Sequence, residues 1–161
     1  PEAPFGSMIT PLTGNEMNFY DLLLPEDPGT VVMNGKEYAW NTWGEILNPP
    51  ADAQIWATYK NEFYAGSPAV TFRKLGKGTI TYVGVDSHNG ALEKDILKKL
   101  YAQLNIPVMD LPYGVTMEYR NGLGIVLNYS DQPYAFNLPK GAKALIGTTN
   151  IPTAGVLVFS M

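Results

Sequence analysis

His88 is the only histidine, and it stands in Asp86-Ser87-His88, the three residue types of a hydrolytic triad. Triad chemistry needs nucleophile, base and orienting carboxylate to converge from separate segments. Three consecutive side chains fan apart and cannot share one proton path. The run reads better as a polar loop between a strand and a helix, closing on Asn89 as a helix N-cap. An independent small enzyme built on Asp86 and His88 stays open as a rival.

Metal, thiol and phosphate chemistry leave little else. Cysteine is absent, which removes disulfides, thiolate nucleophiles and Cys-ligated metals. With one histidine, a transition-metal site would need mostly carboxylate ligands. The 15 acidic residues are scattered and form no Asp-x-Asp-x-Asp-Gly loop. No metal and no cofactor are expected. Gly76-Lys77-Gly78 lacks the full phosphate-loop spacing and precedes a strand, so it reads as a β-turn. Paired carboxylates could act as glycosidase acid and nucleophile, and Glu62, Glu118 and Asp131 are the candidates in loops or strands. Nothing in their spacing selects a pair. A (β/α)₈ barrel needs typically ~250 residues, more than this chain has, so no catalytic residue is assigned.

Aromatic side chains are the remaining functional signal. Trp40, Trp43, Trp56, Tyr59, Phe63 and Tyr64 crowd one stretch. Buried, they fill a core; exposed, they stack on sugar rings or meet a partner protein. The core reading is favoured for the group. Trp56, Tyr59, Phe63 and Tyr64 are kept as candidate oligomer or sugar contacts.

Composition bounds the partners. The net charge is −4 and no block of Lys and Arg occurs, so no nucleic-acid partner is expected. No apolar run approaches the ~20 residues that cross a bilayer, so no membrane partner is expected and a soluble chain is. With 45% hydrophobic and 16% charged residues, a packed core is expected rather than disorder. The chain opens on Pro1 without a signal-peptide pattern. It is expected to be a piece of something longer, with any targeting signal removed; its compartment is left open.

The elements that would carry these residues are mostly strands. Pro1 to Pro28 reads as irregular, with a helical turn near Met8 to Leu12. Asn34-Gly35 between Val31–Met33 and Glu37–Trp40 is a strong hairpin signal, because both turn residues must tolerate positive φ. Further strands are expected over Trp43–Leu47, Gln54–Tyr59, Ala69–Lys74 and Thr79–Val85. Leu92, Ile96, Leu97, Leu100 and Leu104 form one apolar stripe and predict a helix over about residues 90–105. Past Pro107 the texture changes to short strands: Val115–Arg120, Leu123–Tyr129, Tyr134–Leu138, Ala142–Ile146 and Val156–Ser160. These predict a small antiparallel β-sandwich. The fold class is α+β, mainly β, with one unit over 1–109 and a second over 110–161.

Particular runs carry a family resemblance. Tyr64-Ala65-Gly66-Ser67-Pro68-Ala69-Val70-Thr71, then Gly76-Lys77-Gly78, then Tyr82-Val83-Gly84, resemble the middle domain of family 42 β-galactosidases. Pro11-Leu12-Thr13-Gly14 through Phe19-Tyr20-Asp21 is weakly similar upstream. Downstream, Pro112-Tyr113-Gly114-Val115 through Arg120 resembles the start of that family's last domain. Leu127-Asn128-Tyr129-Ser130 resembles an inner strand, with Tyr129 where the family usually has His, and Gly155–Val158 resembles the closing strand. The resemblance implies a catalytic barrel, a flavodoxin-like trimerisation domain and a C-terminal antiparallel β domain. This chain would hold the later part of the second and all of the third. Its partners would be its own barrel domain and further copies of itself, as a trimer, with a galactoside substrate for the parent only. No glutamate here matches the family's catalytic pair. The expected function is thus oligomerisation and structural support of a β-galactosidase, with a sugar-binding β module as the alternative.

Overall fold

The computed structural model describes residues 9–161; the irregular opening expected for Pro1 to Met8 lies outside them. The chain divides into two compact units, the first ending at Pro107 and the second starting at Val108.

The first unit begins with one helical turn, α1 (Thr10–Thr13). Seven strands follow: β1 (Glu16–Asp21), β2 (Gly29–Met33), β3 (Lys36–Asn48), β4 (Gln54–Tyr59), β5 (Pro68–Leu75), β6 (Gly78–Val83) and β7 (Val85–Ser87). Helix α2 (Ala91–Gln103) ends the unit. Asn34 and Gly35 take φ of 52° and 78° and turn β2 into β3, as their types demand. Gly76, at φ 59°, turns β5 into β6.

The sheet runs β1-β3-β2-β4-β5-β6, and β7 returns to pair with β3. One residue makes that return. Gly84 donates its N–H to the Ala69 carbonyl of β5, and its own carbonyl accepts from the Glu45 N–H of β3. A Cβ at Gly84 would lie 3.2–3.3 Å from Leu47, Ala69 and Glu45, so a side chain there would press on both flanking strands. At Trp40, β3 pairs with Gly29 of β2 on one side and Ser87 of β7 on the other. The sheet thereby closes on itself, and β1 is left as an outer strand, paired among the described residues with β3 alone.

Inside lie Val31, Trp40, Tyr59, Ala69, Val70 and Phe72. Trp40 is accommodated by two glycines: added Cβ atoms at Gly29 and Gly44 would come within 2.5 Å and 2.7 Å of its ring. Leu92 and Ile96 of α2 join this core. An ion pair between Lys36 and Asp95 (2.6 Å), with the Tyr38 hydroxyl donating to the same carboxylate (2.8 Å), fastens the helix to the hairpin.

All ladders of this unit are antiparallel. The α+β, mainly β class holds. The partial flavodoxin-like unit is, among the described residues, a sheet made of hairpins and one long helix rather than parallel crossovers. Several stretches differ from expectation: Thr79–Val85 is split at Gly84 into two strands, and of Tyr134–Leu138 only Tyr134–Ala135 is a strand. Glu16–Asp21 is a strand, hidden in the sequence because a bulge between Met17 and Phe19 breaks the period-two pattern. Lys36–Asn48 is one strand rather than two, carried past Thr42 at φ 72°.

The second unit has six strands: β8 (Val115–Arg120), β9 (Leu123–Asn128), β10 (Tyr134–Ala135), β11 (Lys143–Ile146), β12 (Asn150–Ile151) and β13 (Gly155–Ser160). They form a four-stranded antiparallel sheet, β11-β13-β9-β8, and a short β10-β12 ladder. Along β9, burial alternates strictly, which marks one covered face. Val115, Val126, Leu157 and Phe159 from that sheet pack with Phe136 and Ile151.

Candidate interaction surface

Three of the four aromatic candidates belong to the core. Trp56 stacks on Phe72 with ring centroids 4.6 Å apart, and the Lys99 ammonium sits 3.9 Å from its ring centre. Tyr59 lies edge-on to Trp40 and Tyr64. Its hydroxyl donates to the Glu45 carbonyl at 3.0 Å. Tyr64 is buried too, and its hydroxyl donates to the Asp21 carboxylate at 2.6 Å. These rings have neighbours inside the unit. Phe63 is different: it is 86% exposed.

The β4–β5 connection explains the split. Gly66 donates its N–H to the Tyr59 carbonyl, and Ser67 donates to that of Tyr64. Glu62 and Gly66 both take positive φ, 68° and 86°. The tight loop turns Tyr64 inward and leaves Phe63 outside.

Strand β1 supplies the residues that sequence reasoning missed. Phe19 stacks on Phe63 at 5.5 Å and meets Tyr64 edge-on at 5.9 Å. Tyr20 stacks on Trp43 at 4.7 Å. Successive strand residues face opposite ways, so β1 is gripped by aromatic contacts on both of its faces. Behind the second contact, the Glu45 carboxylate accepts from Trp43 Nε1 at 3.1 Å and from the Tyr82 hydroxyl at 2.5 Å. The Phe19-Tyr20 pair of β-formers was the available signal.

Helix α2 presents a second apolar surface. Its predicted stripe divides. Leu92 and Ile96 are buried and Leu100 packs on the core, while Leu97, Tyr101 and Leu104 stand exposed at i, i+4 and i+7. That spacing places the latter three along one side of a helix.

Three tyrosines of this unit are held in their neutral form. Burial, first of all, pushes the Tyr59, Tyr64 and Tyr82 hydroxyls well above their ordinary value. Donation to Asp21 raises Tyr64 further, and donation to Glu45 raises Tyr82 further.

Asp86, Ser87 and His88 are not assembled for catalysis. Ser87 donates both its N–H (3.0 Å) and its hydroxyl to the Glu93 carboxylate, and its Oγ accepts from the Leu92 N–H at 3.0 Å. These reciprocal bonds tie the end of β7 to the first turn of α2. Asn89 is not the N-cap: it takes φ 57°, and Gly90 occupies that position without a side-chain cap. Asp86 and His88 are exposed. Among the described residues, no group of three or more His, Cys, Asp or Glu side chains is placed to hold a metal. No helix there is long and apolar enough to cross a membrane. The arrangement offers apolar contact rather than proton transfer.

Comparison with known proteins gives these surfaces a setting. Residues 1–112 match the family model described as the β-galactosidase trimerisation domain. Residues 114–161 match the β-galactosidase C-terminal domain. The chain is 42% identical over 73 residues to β-galactosidase LacA of Lactobacillus acidophilus, covering 45% of this chain and 11% of that one. It is 30% identical over 115 residues to β-galactosidase BgaB of a Geobacillus species, covering 68% and 17% respectively. In fold it resembles the polyextremophilic β-galactosidase of Halorubrum lacusprofundi, with a TM-score of 0.81 at 24% identity, over 100% of this chain and 24% of that one. The chain thus spans less than a quarter of each of these relatives.

Proposed function

Because the chain belongs to the β-galactosidase trimerisation-domain family of family 42, with the C-terminal domain following it, we propose that its task is assembly and support rather than catalysis. The parent hydrolyses terminal β-D-galactosides in a separate barrel domain. The first unit holds three copies together.

The observation that carries this reading is Phe63, a phenylalanine left 86% exposed and stacked on Phe19 of the outer strand β1. Apolar groups clustered in that way mark interaction sites. A specific interface buries roughly 800 Å² per partner. Phe19 and Phe63 would be the centre of such a patch, and the exposed side of α2 a second contact.

Sedimentation velocity is the test. The chain should sediment as a trimer, and Phe63→Ser combined with Leu104→Ser should move it to monomer. A chain that stays monomeric at every concentration defeats the assembly role. Hydrolysis of a nitrophenyl galactoside that survives rigorous purification defeats the non-catalytic part.

A further inference from the structure

The second unit carries an open depression of about 850 Å³, and two tyrosines project at its lining. Tyr113 is 101% exposed and Tyr129 is 69% exposed. Ser130, Asp131, Gln132 and Tyr134 complete the lining with two prolines, Pro112 and Pro133. We infer that this depression is a binding site for a neutral carbohydrate chain. The inference stands apart from the assembly role of the first unit.

The site is fixed in place before any ligand arrives. Tyr129 donates its N–H to the Gly114 carbonyl at 2.6 Å, which ties the loop of one tyrosine to that of the other. Gly114 has φ of 80°, and a Cβ there would lie 2.9 Å from the Ser130 backbone nitrogen. Only glycine permits that approach. Beneath the polar loop, Asn128 is buried and its Nδ2 donates to the carbonyls of Gln132, Ile151 and Pro152. Its Oδ1 accepts from the Ser130 N–H and hydroxyl. One buried carboxamide thus holds the backbone that presents Asp131 and Gln132.

The chemistry of the lining selects the ligand. Sugar rings offer C–H faces that pack on aromatic rings, and hydroxyls that both donate and accept. Exposed tyrosines supply the faces. Gln132 can donate and accept, and Asp131 can only accept. Neither side chain is used in a hydrogen bond within the chain. A proline-rich peptide also suits tyrosines, yet it brings few N–H donors to satisfy a carboxylate. An anionic ligand would meet Asp131 with like charge. A neutral polyhydroxyl chain satisfies every group in the lining.

The whole chain should be retarded in native gels containing soluble galactan, arabinogalactan or xyloglucan. Titration calorimetry with a galactan-derived oligosaccharide should give a matching affinity. Tyr113→Ala and Tyr129→Ala should each weaken binding about tenfold, the order expected when one aromatic contact is lost. Asp131→Asn should weaken it less, and Lys77→Ala, in the exposed β5–β6 turn of the other unit, should leave it unchanged. Both tyrosines are exposed, so unchanged thermal melting should accompany the loss. Absence of retardation with every glycan overturns the inference. So does retardation insensitive to both tyrosine substitutions, or binding of a polyproline peptide in place of the glycans.

Discussion

The two units divide their aromatic side chains differently between core and surface. In the first, Trp40, Trp56, Tyr59, Tyr64 and Phe72 are buried in one core cluster. In the second, Phe136 and Phe159 are the aromatic residues of the core, and Tyr113 and Tyr129 stand outside. A sheet that closes on itself encloses volume, and bulky rings fill it. Those rings bring hydroxyls that must then find partners, as Tyr59 does on the Glu45 carbonyl and Tyr64 on Asp21. A small two-sheet unit has less interior to fill. Its one large buried polar group, Asn128, spends its hydrogen bonds on the loop beside the depression. The lesson is that aromatic residues fill the core of both units, while the most exposed rings gather beside β1 in the first and around a depression in the second.

The most severe way to break the comparison is Trp40→Ala. Its ring occupies space left by two glycines, and nothing else can collapse into that volume. The expected cost is about 3–5 kcal/mol. Urea denaturation followed by hydrogen exchange, with peptides resolved from each unit, should show protection lost from the first unit. Equal loss in the second would mean that the units do not keep separate cores.

Asn128→Ala is next. It removes the donor to three carbonyls and the acceptor for Ser130, leaving buried groups unsatisfied at about 2–3 kcal/mol. The first unit has a counterpart: buried Asn15 exchanges hydrogen bonds with Thr71. Its alanine variant should cost about 1 kcal/mol, because one side-chain pair is lost rather than a set of backbone contacts. Thermal melts of the two variants should rank in that order, and the reverse ranking would put the structural weight of buried asparagine in the wrong unit.

How much of this was legible beforehand follows from the range of the interactions. Asn34-Gly35 fixed its hairpin, since the turn is local and both residues must adopt positive φ. Helix α2 was visible in its spacing, but that spacing could not say which leucines face the core. Leu97 and Leu104 fell outside because the sheet covers only the Leu92–Ile96 side. Thr79–Val85 looked like one buried strand. Gly84 divides it, because the two halves pair with different partners far apart in sequence. The aromatic cluster was found as a cluster, yet Phe63 and Tyr64 are neighbours with opposite fates, set by a loop closed onto Tyr59. Tyr113 and Tyr129 stand 16 positions apart, in runs that resemble the family's last domain. Their shared depression depends on the Gly114–Tyr129 hydrogen bond, which no spacing reveals.

The smallest effect expected concerns alkaline pH. Tyr59, Tyr64 and Tyr82 have folded-state values above the ordinary 10.0. Above that pH the unfolded chain releases protons that the folded chain retains, so the unfolded state binds fewer protons and stability falls as pH rises. Below it, the contribution from these tyrosines is fully present. All 3 tryptophans lie in the first unit, at 40, 43 and 56, so their fluorescence reports that unit alone. Its urea midpoint should decline between about pH 8 and about pH 11. Tyr59→Phe should lower the midpoint at the first pH by about 1 kcal/mol, through loss of its hydroxyl's hydrogen bonds. The same change should flatten the decline, because the most deeply buried of the three hydroxyls is gone. The two curves should therefore converge as the solution becomes more alkaline. Parallel curves would show that closure of the sheet, rather than retention of the Tyr59 proton inside it, sets the alkaline limit of the first unit.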